Sequence, residues 1–177
     1  MKSSFVFIII FLLLISCQKP VPRLPIIQKS VSQVENTIAI NNKLKTEQEL
    51  IFKEIKKKDS LSNYYSSKYG FWYKYDIKGN TSYIPKKGDE ILYTYKVYNA
   101  HNQLIYGLTK KKYWVDKENI IEGLQIGLKL MKQGDQITFL FPSNVAYGFS
   151  GDQNKIAVNQ PLIFKVKLNK INKNESN

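Results

Sequence analysis

Apolar residues run without a break from Phe5 to Ile15, between Met1-Lys2 and Ser16-Cys17, and the chain then turns polar and proline-rich at Gln18-Lys19-Pro20-Val21-Pro22. Roughly 11 apolar residues are too few for the about 20 a spanning helix needs, and they suit the apolar part of a cleaved secretory signal. From Gln18 to about Gln33 no apolar period recurs, as in a linker. Thr46, followed by Glu47 and Glu49, predicts a helix start. Leu50, Ile51, Phe52 and Ile55 then form an apolar stripe, and Lys56-Lys57-Lys58 supplies charge that favours a helix C-terminus.

After Ser60 the period changes to two. Phe71, Tyr73 and Tyr75 alternate with Trp72, Lys74 and Asp76, and Ile91, Tyr93, Tyr95 and Val97 with Leu92, Thr94, Lys96 and Tyr98; both segments predict strands. Pro85-Lys86-Lys87-Gly88-Asp89 predicts a turn before the second of them, and Asn99 to Gln103 another, leading into a short segment Leu104-Ile105-Tyr106. Between Asn119 and Gln133 the apolar positions Ile120, Ile121, Leu124, Leu128 and Met131 recur at helical spacing, with Asn119 as N-cap and Gly134 as terminator. Alternation resumes with Ile137, Phe139 and Phe141, and again with Leu162, Phe164, Val166 and Leu168. The outline is an α+β domain, a mostly antiparallel sheet that must wrap one helix to bury its stripe. The chain divides into a signal over 1–16, a tether over 17–45, a short helical segment over 46–68, the folded domain over 69–172 and a polar tail over 173–177, with the lysine-rich end after Leu168 expected in solvent.

Cysteine changes the reading of the first segment. Cys17 is the only one in the chain, and Leu14-Ile15-Ser16-Cys17 resembles the bacterial lipobox, in which cleavage leaves the cysteine to carry lipid. Each buried methylene adds about 0.8 kcal/mol, so several acyl chains anchor a protein durably. Cys17 is therefore the expected lipidation site, and a chain with one lipidated cysteine can form no disulfide. The net charge of +13 invites a nucleic-acid reading. The lysines are dispersed, however, Arg23 is the only arginine, and export removes the chain from most nucleic acid. No nucleic-acid partner is expected; attraction to an anionic membrane surface or to acidic partners accounts for the charge. One histidine, His101, in a predicted turn, no free thiol, no phosphate-cradling loop and no metal-ligand cluster leave hydrolase, kinase and metalloenzyme chemistry without parts.

Ile120-Ile121-Glu122-Gly123-Leu124, Gly127, Met131, Gly134-Asp135, the strand Gln136 to Phe141, Ala146-Tyr147-Gly148, Gly151 and Leu162 to Leu168 resemble, in order and nearly in spacing, the second half of FKBP-type peptidyl-prolyl isomerases. Pro85 to Asp89 and the aromatic strand after it fit the first half. The resemblance covers about Phe71 to Ile171 and implies a half-barrel sheet wrapped around one helix. With the lipobox and the Phe71-Trp72-Tyr73-Lys74-Tyr75 lead-in, the whole chain is similar to the gliding-motility-associated isomerase lipoproteins of the Bacteroidetes.

The chemistry implied is rotation about an X-Pro bond, whose barrier of about 18–20 kcal/mol comes from lost amide resonance. It needs a dry, shaped pocket and a hydrogen bond or two, and no covalent step, metal or cofactor. Carried over residue by residue, the resemblance assigns catalysis to Tyr147, Phe164, Tyr95 and Ile121, with Ile121 as a backbone donor, and substrate binding to Ile105, Ile120, Leu124 and Ile156. Two departures stand out. Leu124 replaces the usual tryptophan floor, and Ile105-Tyr106 replaces the usual Phe-Asp pair, which predicts a shallower pocket lacking an acid and an altered proline selectivity. The expected clients are X-Pro-containing exported proteins, gliding components among them. Gln18 after the cysteine favours the outer membrane, facing the periplasm. A non-catalytic chaperone or assembly subunit of the same fold, or a membrane-surface spacer, is the alternative.

Overall fold

The computed structural model describes residues 31–174. The expected signal over 1–16, Cys17 and the tether up to residue 30 lie outside the described residues, as do 175–177. From Thr37 onward the described chain forms one compact unit.

Its elements are helix α1 (Val31–Lys58), strands β1 (Tyr65–Ser66), β2 (Trp72–Ile77), β3 (Glu90–Asn99) and β4 (Leu104–Trp114), helix α2 (Glu122–Leu128), and strands β5 (Gln136–Phe141) and β6 (Leu162–Asn172). The sheet is antiparallel throughout, in the order β1-β2-β5-β6-β3-β4.

Register explains why both faces are used. One row across the sheet, Tyr73, Phe139, Phe164 and Val97, faces inward, and the next, Trp72, Leu140, Ile163 and Tyr98, faces outward, because neighbouring residues of a strand point to opposite sides. The inner face carries the main core. There Phe71, Phe139 and Phe141 form an aromatic wall, with Phe71 edge-on to Phe141 at 5.2 Å and Phe139 stacked on Phe141 at 5.2 Å. Helix α2 lies against that wall through its glycines. A Cβ at Gly127 would sit 2.9 Å from the Phe139 ring, and one at Gly123 2.8 Å from Phe141. On the outer face α1 docks through Phe52, fully buried with Leu140 and Ile163 and flanked by Ile51, Ile55 and Trp72. Lys56 Nζ lies 3.1 Å from the Trp72 ring centre, and the Trp72 indole N–H donates to Glu49.

The expected α+β sheet wrapped on one helix is present, with differences in the elements. Helix α1 spans 28 residues and starts at Val31, so the stretch 31–45 read as tether is helical, and the helical part of 46–68 ends at Lys58. No proline or glycine stands between Pro25 and Gly70, so nothing stops a helix anchored at Phe52 from propagating toward its N-terminus. Thr46 is interior; its hydroxyl donates to the Asn42 carbonyl at 3.0 Å. Helix α2 is shorter than its apolar period suggested, with Ile121 and not Asn119 at its N-cap, and it gives way to turns before Gly134. Strand β6 continues to Asn172, and the Asn174 N–H donates to Asp89 at 2.9 Å, so the chain after Leu168 is part of the sheet and its closing turn. Among the described residues no helix is long and apolar enough to cross a membrane.

Candidate functional site

All eight residues named from the sequence belong to the inner core cluster or pack against it. Strand β3 contributes Tyr95, β4 Ile105, β6 Phe164, the entry to α2 Ile120, Ile121 and Leu124, and the β5–β6 connection Tyr147 and Ile156. Phe164 is fully buried, and Leu124 and Ile156 are 4% exposed. These three are the buried apolar base of the set, while the other five are half-buried.

The aromatic wall is a continuous stack. Tyr95 lies on Phe164 with ring centres 5.7 Å apart, Tyr93 lies on Tyr95 at 5.7 Å, and Phe141 tilts against Phe164 at 5.4 Å. Tyr95 pairs with Val166 and Val97 with Phe164 across β3 and β6, so Tyr95 and Phe164 are diagonal neighbours on one face.

Two donors border this apolar base. Tyr147 sits between two short 3-10 turns, Ser143–Val145 and Gly148–Ser150, with φ −103° and ψ −1°, close to the sparsely populated bridge region where many active-site residues lie. Burial first, and then the neighbouring Tyr95, Asp152 and Tyr106, push its phenol up to about 12. It stays a protonated donor throughout the physiological range, and none of the described residues accepts its hydrogen bond. The second donor is the Ile121 N–H, which likewise meets no acceptor among the described residues. The carboxamide of Gln125 donates to the Ile120 carbonyl at 2.8 Å. That carbonyl shares a planar trans peptide with the Ile121 N–H, so Gln125 fixes the direction in which the N–H points.

Tyr106 corrects the expectation of a pocket without an acid. Its hydroxyl donates to the Asp152 carboxylate, which also accepts the N–H groups of Ile156 at 2.8 Å and Asn154 at 3.0 Å. Burial works to raise that carboxyl, but these donors outweigh it and hold it below the usual carboxylate range. A carboxylate therefore does reach β4, from the opposite side of the site, and it pins the loop that carries Ile156. Nothing in the sequence signals this pair, since the two residues stand 46 positions apart. Gln125 was legible only as a polar residue in the first turn of α2. Among the described residues no group of three or more His, Cys, Asp or Glu side chains is placed to hold a metal ion.

Such a set of side chains is compatible with rotation of an imide, which needs no covalent step. It offers buried apolar side chains, stacked aromatic rings, and two donors without an acceptor among the described residues. It has no nucleophile beside a base.

Comparison with known proteins agrees with this geometry. Residues 82–169 match the profile of the family described as FKBP-type peptidyl-prolyl cis-trans isomerase. Over 52 residues the chain is 46% identical to the probable FKBP-type peptidyl-prolyl cis-trans isomerase FkpA of Neisseria meningitidis serogroup B; this covers 29% of the chain and 19% of that relative's length. The fold is shared with a crystal structure of a peptidyl-prolyl cis-trans isomerase from Pseudomonas syringae pv. tomato, at TM-score 0.62 and 18% identity, covering 75% of this chain and 96% of that one. By the profile they match, residues 82–169, just under half of this chain, are similar to the FKBP-type peptidyl-prolyl cis-trans isomerase family.

Proposed function

We propose that the protein accelerates cis-trans isomerisation of X-Pro bonds in exported polypeptides, held at a membrane through lipid on Cys17. What supports the catalytic part is that the Tyr147 hydroxyl and the Ile121 N–H meet no acceptor among the described residues, while both residues pack on the core cluster that holds Phe164, Leu124 and Ile156. The base receives the proline ring. The donors hydrogen-bond a substrate carbonyl, and the apolar surroundings disfavour the planar, strongly solvated imide relative to the twisted one. Uncatalysed isomerisation takes tens of seconds or more, slow enough to limit folding.

Client class and location rest on the sequence. The signal-like apolar run and Cys17 support export and anchoring, Gln18 supports the outer membrane facing the periplasm, and the likeness to gliding-associated lipoproteins supports motility components among the clients. Leu124 and Ile105, smaller and less aromatic than the family's usual residues at these positions, support an altered preference for the residue before proline.

The test is an exchange-NMR or protease-coupled assay of X-Pro isomerisation on the protein, with Tyr147→Phe and Phe164→Ala beside it. Acceleration that drops in both variants is expected. A folded protein that accelerates no peptide, whatever residue precedes proline, would replace the enzyme reading with that of a binding subunit.

A further inference from the structure

We infer that Gln48, on α1 and outside the family's matched segment, is a positioning residue of the isomerase site, acting by clamping the two ends of the loop that carries Tyr147 and Ile156. The inference deepens the proposed isomerase function and rests on it for its catalytic consequence. Gln48 is 5% exposed and lies on the same stripe of α1 as Phe52, one turn before it. A buried carboxamide there must find partners, and all of them lie in the β5–β6 connection. Its oxygen accepts the Ser143 N–H at 2.8 Å, and its nitrogen donates to the Ser143 hydroxyl at 2.9 Å and to the Asn159 carbonyl at 3.1 Å.

Each end of the clamp reaches Tyr147 through one further backbone bond. On the β5 side the Ala146 N–H donates to the Ser143 carbonyl at 3.0 Å, closing the turn that delivers Tyr147. On the β6 side the Asn159 N–H donates to the Gly148 carbonyl at 2.8 Å. Tyr147 is thus bracketed by residues 146 and 148, both tied to anchors that Gln48 holds. Phe149 at 84% exposure and Val158 at 63% add little packing to this part of the loop. Helix α1 in this way supports the loop that carries Tyr147.

The experiment compares the full chain with Gln48→Ala, Gln48→Glu and Lys56→Ala. Lys56→Ala weakens the docking of α1 at Trp72 without touching the loop. Isomerase kcat/KM, thermal stability and amide hydrogen exchange are measured for each. For Gln48→Ala, kcat/KM per folded molecule is expected to fall about ten- to a hundredfold, the penalty of a slightly misplaced catalytic group. The amides of Ala146 and Asn159 should lose protection while those of β5 and β6 keep theirs. Gln48→Glu retains an acceptor for Ser143 and loses the donor to Asn159, so it should be intermediate and release Asn159 selectively. Lys56→Ala should keep wild-type kcat/KM. The inference is overturned if Gln48→Ala and Lys56→Ala lower activity in proportion to their loss of stability, or if the loop amides stay protected in Gln48→Ala. Should the unaltered chain show no isomerase activity, the functional proposal falls, and the exchange data still decide whether Gln48 holds the loop.

Discussion

Replacing Gly127 by alanine sets two effects of known sign against each other. In an exposed helix the change would stabilise by about 1 kcal/mol, since glycine is the poorer helix former. Here the new methyl would lie 2.9 Å from two carbons of the Phe139 ring, while carbons in contact settle at about 3.5–4.0 Å, so the ring or the helix must yield by roughly 0.6 Å. The ring cannot readily do so. Phe139 is fully buried, stacked on Phe141 and edge-on to Phe71. The helix must therefore lift, at an overpacking cost of about 1–3 kcal/mol, which leaves a net loss of about 1 kcal/mol, or about 3–4 °C in Tm for a domain of this size. Lifting α2 also displaces Leu124 and the Ile121 N–H, so kcat/KM of the folded variant should drop by more than tenfold for a shift approaching an ångström. Urea titration and exchange-NMR on the same preparation read both quantities. A variant more stable than the parent, with unchanged kcat/KM, would refute the reasoning, because it would mean that α2 slides outward at no cost.

Asp89→Ala removes a buried acceptor used by the Tyr83 hydroxyl and by the N–H groups of Lys86 and Asn174, each at 2.9 Å; stability should fall by about 2–4 kcal/mol in chemical denaturation. Tyr106→Phe releases Asp152 and loosens the loop, so isomerase activity should fall several-fold while Tm changes by only a few degrees. Activity should show no inflection from Tyr147 below pH 10, and an ultraviolet tyrosine titration should place its phenol near 12. On the acid side Asp59, Asp89, Glu90 and Asp152 are all held below their ordinary values. Their contribution is complete above the unfolded carboxylate values of about 4 and is lost as pH falls through the lower folded ones, so Tm should decline steadily below about pH 4.

Strands with one face on the core announced themselves. The alternation in β3 and β6 reflects burial on alternate residues, whereas β5 is buried on both faces because α1 covers its outer side, and the site residues on the strands followed from the order of the family's motifs. Strand β4 was legible only over Leu104-Ile105-Tyr106. It is an edge strand on which Tyr113 alone is fully buried, so Lys110-Lys111-Lys112 has the composition of a solvated loop. The first half of α1 was hidden for a related reason, since Ile38 and Ile40 are exposed and define no face. Pairings between distant polar residues, Tyr106 with Asp152 and Gln48 with Ser143 and Asn159, carry no local signal at all. Only the placement of Gln48 on an otherwise apolar stripe hinted at a buried role.

The order of strands also governs when the pocket can exist. Strand β6 comes after the other five described strands in the chain, yet it lies in the middle of the sheet, joined to β5 on one side and β3 on the other. Until it arrives, β1-β2-β5 and β3-β4 are separate ribbons with open edges, and Tyr95 has no Phe164 to stack on. Because so many contacts span long stretches of chain, closure is expected to be slow relative to helical domains of equal size. A chain that has not yet delivered β6 would therefore expose open strand edges and lack the proposed pocket, because Tyr95 and Phe164 come together only when β6 pairs with β3.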